Sequence, residues 1–176
     1  MIYTFKVTTN EKRDFLRLIE IDPEDTFESL HSIIQQSSGF GEDQLASFFI
    51  LDEKMSKRVE ISLIDLGNEE LPHYTMGKTT IKNLVKTKGQ KLLYVFDILY
   101  ERSFYVELME ISMKKNLNEP QVAYQQGKAP NQILTEDVEL IDSPDSKLFQ
   151  SYRDFGDLDD YTEIYGEMED VQEGGK

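Results

Sequence analysis

Tyr3, Phe5 and Val7 alternate with Thr4, Lys6 and Thr8, the two-residue period of a strand that buries one face. Asn10, Glu11 and Lys12 supply a turn. A second strand over residues 15–21 then runs into Asp22-Pro23, where proline has no donor for a ladder. The period next lengthens. Phe27, Leu30, Ile33 and Ile34 recur at three- and four-residue spacing behind Asp25 and Thr26, either of which can cap a helix. Gly39 supplies its stop. His31, one position after Leu30, is read as lying off the apolar stripe. The expected opening is strand, strand, helix.

Two further strand-like runs, 47–51 and 59–66, flank a charged connection and predict a second hairpin. Thr79 or Thr80 can cap a second helix through Ile81, Leu84 and Val85, closed by Gly89. The most apolar stretch is 92–113. With a turn at 100–103, Leu92, Tyr94, Phe96 and Ile98 share a face with Tyr105, Met109 and Ile111. Leu93, Val95 and Leu99 then share the other with Phe104, Val106 and Leu108. A strand pair apolar on both faces belongs inside a sheet covered twice, and Val95, Leu99, Phe104, Val106 and Leu108 form the face offered to a partner. After Pro120 the residues read as loop, with a last strand expected over 133–141. The fold class implied is α+β, an antiparallel or mixed sheet with two main helices.

Charge divides the chain unevenly. Of a net −15, residues 142–176 carry −8, with eleven acids against three bases, and residues 1–141 only −7. Such a segment repels itself and any phosphate backbone, so the reading is a single domain over 1–141 followed by an acidic, poorly ordered tail over 142–176. Nucleic acid is disfavoured as a partner. The absence of cysteine excludes disulfides, thiolate metal sites and a cysteine nucleophile. The start lacks a basic residue run followed by an apolar core, and no apolar stretch reaches the roughly 20 residues of a membrane span. The expected localisation is cytoplasmic, without membrane association.

Motifs of chemistry are incomplete. Gly77-Lys78-Thr79 matches the end of a phosphate-binding loop, but Pro72 stands where its first glycine must be. Asp154-Phe155-Gly156 resembles the kinase magnesium triplet, yet no glycine-rich loop and no His-Arg-Asp precede it. His31 on the helix and His73 in a loop after Pro72, the two histidines, have no zinc-site spacing and no nucleophile elbow beside them. Neither cofactor nor metal is expected. Asp97, Glu107 and Glu110 interrupt apolar faces and form a candidate polar site, since a carboxylate there has either a partner or a raised pKa.

Tyr3-Thr-Phe-Lys-Val7, the strand Leu16-Arg-Leu-Ile-Glu-Ile21, Leu30-His31, Gly39-Phe40, Tyr94-Val-Phe96-Asp97 and Gly127-Lys-Ala-Pro130 together resemble the plasmid pRi ORF-three-like family. These are small bacterial and archaeal proteins whose reading frames often travel on plasmids or beside transposable elements. The resemblance implies an α+β fold and carries no established activity. Members usually show Tyr-Asp-Phe-Gly-Asp, then Trp and His, at the central hairpin. Here Asp97 alone matches, with Ile98, Leu99, Tyr100, Arg102 and Phe104 at the other positions. The expected function is non-catalytic binding of another protein. The rivals are a carboxylate- and metal-dependent hydrolase or nuclease using Asp97 with Glu107 or Glu110, and a structural homodimer.

Overall fold

A computed structural model of the chain describes residues 1–67, 69–113 and 116–134. Residues Met1–Gln132 form one compact unit. Strands β1 (Ile2–Thr8) and β2 (Leu16–Ile21) pair antiparallel, with Tyr3, Phe5 and Val7 opposite Ile21, Ile19 and Arg17. Helix α1 (Phe27–Ser38) follows. Thr26 caps it by accepting from the Ser29 amide at 3.2 Å. Gly39, at φ 71°, ends it with its amide on Gln36, while the Phe40 amide reaches Gln35, the paired bonds of a Schellman stop. The opening is thus strand, strand, helix.

The rest of the unit comprises β3 (Ser47–Leu51), β4 (Lys57–Ser62), β5 (His73–Thr75), a 3₁₀ turn (Met76–Lys78), α2 (Ile81–Leu84), β6 (Lys91–Asp97), β7 (Arg102–Ser112) and β8 (Gln121–Gln126). Among the described residues, eight strands make one sheet in the order β5-β4-β3-β6-β7-β1-β2-β8. The sheet is mixed, because β4 and β5 run parallel while every other neighbouring pair is antiparallel. The hydrophobic core gathers Phe27, Leu30 and Ile34 of α1 with Phe5, Val7, Ile19, Phe48, Ile61, Leu92, Tyr94, Phe104, Val106 and Leu108 of the sheet. Burying each large side chain of this set stabilises the fold by about 1.5 to 3 kcal/mol.

Three expectations change. The second helix is a single four-residue turn, since Thr80 makes no side-chain capping bond and Val85 has already left helical geometry at ψ 114°. One main helix, not two, covers the sheet. The central hairpin turns at residues 98–101, two positions earlier than expected, and Phe96 is an extra residue between the Val95–Ser103 and Asp97–Arg102 pairs. Strand faces alternate with period two, so this register exchanges partners across the hairpin. Leu92 and Tyr94 stand opposite Val106 and Phe104, all at most 1% exposed, and Leu108 joins them in the core.

The expected partner face therefore divides. Phe104, Val106 and Leu108 lie in the core, Val95 points to the other side of the sheet at 6% exposure, and Leu99 sits in the turn at 81%. The third change is β8, formed where loop was expected. The strand expected over 133–141 and the boundary at 141/142, with its acidic tail, fall outside the described residues or at their limit.

Candidate functional site

Asp97 closes the central hairpin and lies beside Arg102, whose five donors are all used. Nε and Nη2 bond the two oxygens of Glu11 at 3.0 and 2.8 Å, and Nη1 bonds Asp97 at 3.3 Å. Nη1 and Nη2 also reach the carbonyls of Gln132 and Asn131, at 3.0 and 2.5 Å. The guanidinium lies 4.9 Å from the Phe96 ring centre, and its side chain is 8% exposed. Burial lowers the Arg102 pKa, but the bonds and charges of Glu11 and Asp97 outweigh it and leave the value raised. Asp97 also accepts from the Tyr100 amide at 3.3 Å. The cluster ties the β1–β2 turn, the β6–β7 turn and residues 131–132 together, with no donor of Arg102 left to offer a ligand.

Glu107 stands elsewhere. Its carboxylate lies 3.6 Å from Lys6 and 3.9 Å from Lys91, its neighbours on β1 and β6. Since Asp97 pairs with Arg102, five residues from Glu107 along β7, the two acids are about 16 Å apart along the backbone at the rise of an extended strand. Glu110 is exposed opposite Thr4. The three acids do not converge. Among the described residues, no group of three or more His, Asp or Glu side chains is arranged to hold a metal ion.

Both histidines are placed unexpectedly. His31 is 4% exposed and lies inside the core, its Nδ1 2.8 Å from the Tyr94 hydroxyl. Burial pushes the imidazole down to about 4 and pushes the Tyr94 hydroxyl up, so the pair is uncharged at neutral pH. The signal was in the spacing, because 27, 31 and 34 lie on one side of a 3.6-residue helix.

His73 is in strand β5, opposite Glu60, not in a loop. Its Nε2 is 2.6 Å from the Ser62 hydroxyl oxygen, and Asp65 lies 3.9 Å from its Nδ1. That set of residue types is the one a serine hydrolase uses. The Ser62 hydroxyl, however, also lies 2.5 Å from the Ile64 carbonyl. A carbonyl cannot donate, so the single hydroxyl proton goes to Ile64, and His73 donates to Ser62 from Nε2. A ring protonated at that nitrogen cannot act as the serine's base, and Ser62 is 2% exposed. The arrangement braces the β4–β5 connection.

The open polar surface lies on the opposite side of the unit. Strand β8, QVAYQQ, has β2 as its neighbour and is the last strand in the sheet order. Five of its six residues are exposed, and the register steps past Ala123, which has no partner on β2. Beside it, α1 and the turn entering β8 bound a shallow groove of about 310 Å³. No helix among the described residues is long and apolar enough to cross a membrane.

These elements define an α+β protein built on one mixed sheet with one principal helix. The chain belongs to the plasmid pRiA4b ORF-3-like protein family, whose family model matches residues 1–170. The fold recurs in the protein of unknown function MM3350 from Methanosarcina mazei Go1. That similarity has a TM-score of 0.62 at 16% identity, over 86% of this chain and 88% of the other. No curated protein matches the chain.

Proposed function

We propose that the protein is a non-catalytic recognition domain that takes an extended segment of another protein onto the edge of β8 that is unpaired among the described residues. The edge itself supports this reading. Sheets ordinarily blunt their edges by shortness, proline, charge or bulges, because unpaired backbone groups recruit other strands. The β5 edge is blunted in this way, being three residues long and directly preceded by Pro72. Strand β8 has six residues, neither proline nor charge, and a single bulge at Ala123. An added strand would bond through its backbone and gain specificity from its alternate side chains.

The test is to pan a phage-displayed library of random nonapeptides on the full chain and follow a selected peptide by amide chemical shifts. The largest shifts are expected in residues 121–126. Ala123→Pro, which removes one amide at a position unpaired with β2, should reduce affinity at least about tenfold while leaving the fold intact. Selected peptides that shift only residues away from β8 would refute the reading.

A further inference from the structure

The groove beside β8 carries a charge pattern that selects among such segments. It is bounded on one side by α1, with Glu28, Ser29, Ser32 and Ile33, and on the other by Glu119 and Pro120, immediately before β8 begins. Two acidic residues line the space, and no basic residue is among its described lining. Several other acids of the unit are neutralised at close range, Glu24 by Lys82, Glu107 by Lys6 and Lys91, and Glu11 and Asp97 by Arg102. Among the described residues, no ion pair engages Glu28 or Glu119.

Resting on the edge-strand reading, we propose that the segment carries a lysine or arginine that enters this groove between Glu28 and Glu119. A strand laid along β8 points alternate side chains to the side of the sheet that holds Val122 and α1, and the groove lies beside the start of β8, at one end of that strand. The hydroxyls of Ser29 and Ser32 can accept from an ammonium or guanidinium, and Ile33 offers apolar surface to its aliphatic stem.

A second copy of the chain does not fit this surface. Its own β8 would present only Gln, Val, Ala and Tyr to the groove. Two copies at −15 each also repel one another, and a six-residue strand pair covers far less than the roughly 1,600 Å² of a standard interface.

The experiment uses the same nonapeptide library against the full chain. Selected sequences should share one Lys or Arg position, and replacing that residue by norleucine or citrulline should weaken binding by roughly three- to tenfold at low salt. The double variant Glu28→Gln with Glu119→Gln should bind parent and neutral peptides equally, while the neutral peptides keep their wild-type affinity. The parent's advantage should also shrink as salt rises from 50 to 300 mM.

Peptides that shift the amides of 121–126 yet show no cationic position, or lose nothing on its neutralisation, overturn this inference and leave the edge-strand reading standing. Peptides whose binding is indifferent to Ala123→Pro and whose shifts avoid β8 overturn both. Should Ala123→Pro fail to fold, Gln125→Pro and the shift map on the wild type carry the same decision. Light scattering that shows a dimer, dispersed by either proline variant, would assign the edge to a second copy and reject the inference.

Discussion

Two polar regions of this protein are built in opposite ways. At the hairpin end, Arg102 spends all five donors on Glu11, Asp97 and the carbonyls of Asn131 and Gln132, and is 9% exposed. At the α1–β8 flank, Glu28, Glu119 and Gln125 are exposed. The difference teaches where stability and recognition reside. A closed set of hydrogen bonds fastens distant chain segments and has nothing left for a ligand, whereas an open one adds little to stability and keeps its groups available.

The largest effect that breaks the comparison is expected from Arg102→Ala. It leaves Glu11 and Asp97 facing each other without a cation and uncovers Phe96, which should cost about 3 to 5 kcal/mol in urea unfolding. A loss below about 1 kcal/mol would show that the cluster is an ordinary surface network. Asp97→Asn, which keeps the shape and removes only a charge, should cost about 1 kcal/mol. Melting temperatures with magnesium, calcium, manganese and zinc should respond to metal no differently in this variant than in the wild type.

The buried His31–Tyr94 pair gives the next effect, and its sign follows from the lowered imidazole pKa. The unfolded chain takes up a proton near 6.5 and the folded one near 4, so stability is fully present above 6.5. As pH falls from 6.5 to 4, acid should remove about 3 kcal/mol through this group. The measurement is unfolding free energy against pH for the wild type minus His31→Gln, which isolates the histidine from the carboxylates titrating nearby. A flat difference between pH 6.5 and 4.5 would mean that water reaches the ring. Tyr94→Phe, which removes the hydroxyl alone, should cost about 1 kcal/mol.

The smallest stability effect is expected on the open flank. Glu119→Gln and Glu28→Gln should each change unfolding free energy by less than about 0.5 kcal/mol. A larger loss in either would show that the flank is structural, and so erase the contrast with the Arg102 cluster.

Much of the local architecture was legible. The alternation at Tyr3–Val7, the stripe through Phe27, Leu30 and Ile34, the stop at Gly39 and the hairpin between β3 and β4 follow from short-range periods and capping chemistry. Polar positions were legible only as types. Asp97 stood out because it interrupts an apolar strand, but its partners Glu11 and Arg102 are 91 residues apart, and no local pattern reports that pairing. His31 was legible and misread, since its spacing from Phe27 and Ile34 places it in the core.

The amino-acid order by itself determined where the chain extends, coils and turns, because those choices depend on side chains within about four residues of one another. It also determined the family, through motifs spread along most of the length. The tertiary structure alone decided the hairpin register, since one extra residue at Phe96 moved Phe104, Val106 and Leu108 across to the side of Leu92 and Tyr94. It alone decided that QVAYQQ becomes a strand, because a segment of weak intrinsic preference extends when β2 presents an unpaired edge. Which edge is unpaired among the described residues, and which acids lie beside it, followed from that assembly.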